Sequence, residues 1–232
     1  MKTSFLSKLL DTLAPRQCAN CGRRLSPDER VLCHACYRRL ELTFLWQNAC
    51  DNPLARLFWG VLPIEKAASL FYFTPRTESS QVIYDMKYHD RPDIARSMGA
   101  IAARLMAADH FFDGIDGLVP VPLTRRRQWQ RGYNQSMEIA RGISEVTALP
   151  IYGKAVRRTK FHDSQTTKTA IERRDNVADV FRLADSNAVR GLHLLIIDDI
   201  ITTGATVTAC GLQLSQAEGV RVSVFSLGFT RS

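Results

Sequence analysis

Apolar positions along the chain fall into two rhythms. Leu194, Leu195, Ile196 and Ile197 form an unbroken apolar run, the pattern of a central parallel strand buried on both faces. Ala67 to Phe73 and Val220 to Phe225 are further apolar runs, and Val180 to Leu183 a short one; each predicts a strand. Asp116 to Leu123 carries Pro120 and Pro122 at its far end, which suits a strand leaving into a turn. Between these runs the spacing becomes helical. Val82, Ile83 and Met86 share a stripe within Thr74 to Tyr88, as do Met98, Ile101, Leu105 and Met106 within Ile94 to Ala108. Ser136 to Val146, Ile171 to Val177 and Val207 to Gln216 also predict helices, with Val207, Leu212 and Leu214 of the last expected on the sheet. Phe5, Leu6, Leu9, Leu10 and Leu13 recur at helical spacing until Pro15. This short amphipathic helix is expected to pack on its own domain, because Lys2 and Lys8 alone are a weak cationic face for a membrane surface.

Chemistry concentrates where the central strand ends. Asp198 and Asp199 follow the aliphatic run at its carboxyl end, where open α/β sheets bind ligands. Thr202, Thr203, Gly204, Ala205 and Thr206 come next, before a helix. A loop that feeds a helix N-terminus aims free N–H groups and the positive end of the helix dipole at one spot. That is an anion cradle, and two carboxylates beside it suit a hydroxyl-rich phosphate accompanied by Mg²⁺, such as a ribose phosphate. The blander alternative is a buried strand followed by an Asp/Thr/Gly turn. The glycines of a P-loop or a dinucleotide fingerprint are absent, so those readings fail.

With 232 residues, 45% of them hydrophobic, the chain can bury one α/β core and still carry a small module. Cysteine spacing identifies that module. Cys18-x-x-Cys21 and Cys33-x-x-Cys36 are two C-x-x-C pairs separated by 11 residues, a spacing that brings four soft thiolates around one Zn²⁺. Gly22 permits the left-handed turn such a knuckle needs. Four buried or redox-active thiols are the alternative, and His34 is a fifth candidate ligand. Four protein ligands leave no open position, so the metal would be structural. The chain then divides into an N-terminal helix and zinc module over 1–45, a connector over 46–65, and an α/β domain over 66–232. Phe44, Leu45, Trp46, Leu54, Leu57, Phe58 and Trp59 are too apolar for a free linker and are expected to dock the module on the larger domain. Cys50 stands alone, a core or surface thiol.

Charge sharpens the picture. The net charge is +8, from 31 Lys/Arg and 23 Asp/Glu, and Val119 to Arg182 holds 13 basic against 6 acidic residues. An anionic partner fits this bias, though pyrophosphate and nucleic acid fit it equally. Arg125, Arg126, Arg127 and Arg131 precede Gly132-Tyr133-Asn134-Gln135, and guanidinium groups match phosphate oxygens two bonds at a time. Arg23, Arg24, Arg30, Arg38 and Arg39 surround the cysteines as either a nucleic-acid contact or a solvated face. The N-terminus has charges where a signal peptide needs an apolar run, and no stretch approaches the ~20 apolar residues of a membrane span. A cytoplasmic location follows as the expectation.

Asp198-Asp199-x-x-Thr202-Thr203-Gly204-Ala205-Thr206 after four aliphatics resembles the phosphoribosyl-pyrophosphate (PRPP) loop of type I phosphoribosyltransferases. A four-cysteine N-terminus joined to such a loop resembles the layout of the ComF/GntX family. That resemblance continues through Lys87-Tyr88, Val119-Pro-Val-Pro122, Arg131 to Gln135, Arg158 with Gln165, and Arg174-x-Asn176-Val177. It implies a type I phosphoribosyltransferase-like fold, a central mostly parallel sheet with flanking helices. It also implies a link to competence: DNA uptake, or use of external DNA as a nutrient, with single- or double-stranded DNA and the import machinery as partners. By the same resemblance, Arg157 to Lys168 is a lid over the ligand. Asp198 and Asp199 would hold the ribose, the Thr202–Thr206 amides the 5-phosphate, and Mg²⁺ would bridge pyrophosphate and ribose hydroxyls. Arg125, Arg126, Arg158 and Gln165 complete the PRPP set. Asp198, Asp199, Lys87 and Arg131 are the catalytic candidates, the two cations steadying a departing pyrophosphate. Two readings stay open: a phosphoribosyltransferase with an unknown acceptor, or a PRPP-binding protein serving DNA handling. Leu227 to Ser232 are too few to close a base pocket, so an acceptor site is expected from the connector or the zinc module.

Overall fold

The computed structural model describes residues 16–75, 77–88, 90–158 and 180–231. The predicted helix at Phe5–Leu13, Gln165 with most of the predicted lid, and the predicted helix at Ile171–Val177 lie outside the described residues.

The described elements are α1 (His34–Arg39), a 3₁₀ turn (Leu45–Asn48), α2 (Pro53–Arg56), β1 (Ala67–Tyr72), α3 (Glu78–Tyr88), α4 (Pro92–Ala107) and β2 (Gly117–Pro120). There follow α5 (Arg125–Arg131), α6 (Gln135–Thr147), β3 (Val156–Arg158), β4 (Phe181–Leu183), β5 (His193–Ile201), α7 (Ala205–Leu214) and β6 (Arg221–Phe229). Four strands form a parallel sheet in the order β1-β6-β5-β2, while β3 and β4 pair as a separate antiparallel hairpin. The α/β architecture expected from the sequence, a central mostly parallel sheet with flanking helices, is the observed one.

Pleating divides the core. Leu195, Ile197, Phe225 and Leu227 face one layer, with Val82, Ile83 and Met86 of α3 and the apolar sides of α4 and α6. Leu194, Ile196, Val222 and Val224 face the other, with Phe58, Leu62 and the inner side of α7, as a period of two requires. α4 and α6 cross closely because of two glycines. A Cβ on Gly99 would stand 2.3 Å from the Ile139 carbonyl oxygen, and one on Gly142 1.9 Å from that of Arg96.

The four-cysteine module is not a separate bead. Val31, Leu32, Leu40 and Trp46 share the first apolar layer with Leu70 and Phe71 of β1, and the Trp46 Nε1–H donates to Asp109 Oδ2 at 2.7 Å. Glu41 to Thr43 runs antiparallel beside β1, with Tyr72 N–H donating to the Glu41 carbonyl and Thr43 N–H to that of Leu70, which covers an open sheet edge. The connector is equally fixed. Asn52 caps α2 and its amide donates to the carbonyls of Leu45, Asn48 and Ala67.

Some boundaries differ from expectation for clear reasons. β6 runs on to Phe229 because β1 and β5 both supply ladder partners that far. Leu212 points to solvent, since the buried stripe of α7 is Val207, Cys210, Gly211 and Leu214, spaced as one helical face. The arginine run is itself helical: Thr124 Oγ1 accepts from Arg127 N–H, and Gly132 at φ 73° ends the turn, a left-handed C-terminal glycine.

Candidate functional site

The site lies at the carboxyl end of β5. The sequence places Asp198 and Asp199 beyond the strand, whereas the ladder passes through them to Ile201, with Asp198 opposite Ser226. Strand pairing thereby holds both carboxylates on a rigid support rather than a loop. They do not share one environment. Lys87, at the last turn of α3, places Nζ 3.2 Å from Asp199 Oδ2, and both side chains are largely shielded from solvent. Asp198 Oδ1 accepts from the Asp199 N–H at 2.8 Å and from Ser136 Oγ at 3.3 Å. Asp199 Oδ1 accepts from the Ile200 N–H at 2.7 Å.

Protein crowds Asp198 although part of it still meets solvent. Burial first, and the Asp199 charge second, push its carboxyl up to about 7; the Asp199 amide, Lys87 and Ser136 act in the opposite direction. A carboxylate pair with one fixed ammonium is short of positive charge, so a ligand that brings cations or hydroxyl donors completes it.

Thr202, Thr203, Ala205 and Thr206 are exposed around the buried Gly204, which has φ 75° and starts α7. No side chain caps this helix, in contrast to α2, α5 and α6, capped by Asn52, Thr124 and Asn134. A cleft of about 40 Å³ at this helix start is lined by Asp198 and residues 200–207, and free first-turn amides at such a place suit an anion.

Arginines approach from a second direction. Arg126 and Arg127 are exposed on α5, and Arg131 donates to Gln135 Oε1 at 3.0 Å. Arg158, at the end of β3, has its pKa lowered by burial and then by the Arg127 charge, with Asp198 the counter-charge that raises it. Arg158 thus lies within electrostatic reach of both Arg127 and Asp198. Arg125 opens α5.

Sequence reasoning passed over Ser136, the donor to Asp198, and Phe58, whose ring backs Gly204. It also passed over the Met86 carbonyl, on which Tyr133 Oη–H and Gln135 Nε2–H converge. Tyr133 and Gln135 lie within the Arg131–Gln135 motif; Ser136 reads as a helix start and Phe58 as connector core, and neither pattern points to a ligand.

The cysteines form the second centre. Cys18, Cys21, Cys33 and Cys36 bring their sulfurs within 4.8 Å of one another, with Cys21 Sγ 3.8 Å from Cys33 Sγ. A zinc tetrahedron with ~2.3 Å bonds has sulfurs about 3.8 Å apart, so the set fits zinc. Backbone N–H groups of Cys33 and Cys36 donate to Cys18 and Cys33 sulfurs, the outer hydrogen bonds that orient thiolates. Chiefly because of the Cys36 N–H, the Cys33 thiol is pulled down to about 6. His34 is not in the cluster; its ring nitrogens meet Asp28 and Glu29. Glu29 is buried and accepts from Ser26 N–H, His34 N–H and Ser26 Oγ, which bring its carboxyl down to about 2.

No family model matches the chain. It is homologous to DNA utilization protein YhgH of Salmonella typhimurium, 26% identical over 223 residues that cover 92% of this chain and 96% of that protein. Competence protein F of Haemophilus influenzae is 26% identical over 91% of this chain and 96% of its own length. Among solved structures it is similar to the glutamine PRPP amidotransferase from B. subtilis complexed with ADP and GMP, 19% identical with a TM-score of 0.42, covering 61% of this chain and 30% of that one. DNA-utilization and competence proteins are thus its curated homologues, as the motif pattern implied. No described helix is long and apolar enough to cross a membrane.

Proposed function

We propose that the chain binds PRPP with Mg²⁺ at the end of β5, and that this binding serves the use of external DNA in the cytoplasm. One observation supports the ligand above all. Asp198, next in sequence to the Lys87-paired Asp199, lines one cleft with residues 200–207 at the uncapped start of α7, so a carboxylate pair, a fixed cation and an anion cradle adjoin. In this reading the amides of Thr202 to Thr206 receive the 5-phosphate, and Asp198 and Asp199 accept from ribose hydroxyls. Lys87, Arg126, Arg131 and Arg158 face the pyrophosphate, and the sequence pattern adds Arg125 and Gln165 to the set. Mg²⁺, when bound, would supply positive charge to offset that of the pyrophosphate. Residues 1–45 form the zinc module, 46–65 the connector and 66–232 the ligand-binding domain.

The DNA half of the reading draws support from α5 as well as from the homologues. Trp129 is 87% exposed between Arg126, Arg127 and Arg131 on a short helix. Basic side chains that track phosphates and an aromatic face on which a base can stack suit single-stranded DNA. The import machinery is the expected context.

The deciding experiment complements a deletion strain with wild type or an Asp198→Ala/Asp199→Ala variant and scores growth on DNA and transformation. Loss of complementation by the variant supports the proposal. Full complementation removes PRPP from the role and leaves a binding module. A deletion without a DNA phenotype, together with purified protein that consumes PRPP, would instead establish a metabolic phosphoribosyltransferase.

A further inference from the structure

The last turn of α3 bears Lys87, and a lysine stem is too flexible to hold one position unless its root is fixed. Helix C-termini leave carbonyls without intrahelical partners, and the Met86 carbonyl, adjoining the Lys87 peptide, is captured by two donors. Tyr133 supplies its hydroxyl, and Gln135 its Nε2–H at 3.2 Å. Gln135 is 1% exposed, and its other amide atom, Oε1, accepts from Arg131 at 3.0 Å. The adjacent Ser136 donates to Asp198, and Lys87 closes the circuit on Asp199. Asn134 fixes the segment that carries these groups: it caps α6 and donates from Nδ2 to the Val121 carbonyl at 3.0 Å.

We infer that Tyr133 and Gln135 are positioning residues, which set the Lys87 ammonium against Asp199 through the backbone carbonyl of Met86. Gln135 orients Arg131 by the same amide, so one buried side chain aligns two cations. Burial, followed by the nearby Asp93 and Asp90 charges, raises the Tyr133 pKa, and its hydroxyl stays a donor across the working pH range. The functional readout rests on the ligand proposed above; the geometric claim does not.

Two measurements separate them. In ligand-free protein, an amine-reactive ester is used to acylate Lys87, and the rate is read on its peptide by mass spectrometry. Tyr133→Phe and Gln135→Met should each speed acylation about two- to fivefold, with folding checked by melting temperature. An unchanged rate in the folded Tyr133→Phe protein overturns the inference. Calorimetry then follows Mg–PRPP and ribose 5-phosphate. Tyr133→Phe should weaken Mg–PRPP about fivefold, the equivalent of one ordinary hydrogen bond, and leave ribose 5-phosphate unchanged. In a Lys87→Met background the same substitution should cost less than about twofold, because residues that act through one another are not additive. Equal losses in both backgrounds overturn the inference. Faster acylation in a protein that never binds Mg–PRPP sustains the positioning role and defeats the proposed ligand.

Discussion

The Phe58 ring of the connector packs so closely behind Gly204 of the anion loop that a Cβ on that glycine would stand 3.0 Å from the ring edge. The loop turns at φ 75° there, a conformation that costs an L-residue ~1–2 kcal/mol. The connector between module and sheet is therefore also the back wall of the candidate phosphate site.

Gly204→Ala should lower stability by about 1–2 kcal/mol through backbone strain and shift the loop away from Phe58. Phosphate-bearing ligands should bind at least tenfold more weakly. Calorimetry with Mg–PRPP, beside a Phe58→Leu control that relieves the contact, checks this. Wild-type affinity in Gly204→Ala would detach the α7 amides from the ligand.

Asp198 should set function against stability. Its folded pKa is raised to about 7, above the ~3.9 of an unfolded aspartate, so the folded state binds more protons between those values. Stability conferred by the neutral form is present at low pH and is lost as pH rises from about 4 to 7. Asp198→Asn should raise the melting temperature near pH 8 by about 2–4 °C, a gain on the order of 1 kcal/mol, and the gain should vanish near pH 4. Binding of Mg–PRPP to wild type should weaken as pH falls below 7. A variant less stable than wild type at pH 8 would refute this account.

His193 titrates with the opposite sign. Its ring is buried at the start of β5, with Nδ1 2.8 Å from the Gly114 carbonyl and Nε2 2.7 Å from Ser223 Oγ. Burial lowers its pKa, so the neutral ring is favoured in the fold. This stability is complete above the unfolded value of ~6.5 and is lost as pH drops below it. The fall in melting temperature between pH 7 and 5 should be shallower in His193→Asn. Parallel curves for the two proteins would exclude the ring as the titrating group.

Purified protein should carry about one zinc per chain by elemental analysis. A chelator, or Cys36→Ser, should remove the metal, with apparent binding energies of ~10–16 kcal/mol for such sites setting the scale. Because Val31, Leu32, Leu40 and Trp46 share a layer with β1, the loss should also loosen the sheet edge, seen as faster exchange of the Thr43 and Tyr72 amides that bridge it. Metal-free protein of unchanged stability and exchange would refute a structural role.

The aliphatic run Leu194–Ile197, the two cysteine pairs and the Asp198–Thr206 loop were legible because each is local. A strand buried on both faces needs continuous apolar residues, a zinc knuckle needs fixed spacing, and an anion loop needs glycine and a following helix. From these the α/β class, the four-cysteine cluster and the candidate site follow without coordinates. Tertiary structure decided the rest. That Lys87 meets Asp199, 112 positions later, depends on the Val82, Ile83 and Met86 stripe of α3 joining the apolar layer that also holds Ile197 and Leu227. That Phe58 backs Gly204 depends on Asn52 anchoring the connector to Ala67. Strand length, too, was set by the neighbours: β5 and β6 continue to Ile201 and Phe229 because each supplies hydrogen-bond partners to the other. Residue type and spacing record what a segment must satisfy within itself, whereas contacts between distant segments exist only once burial of their apolar faces brings them together.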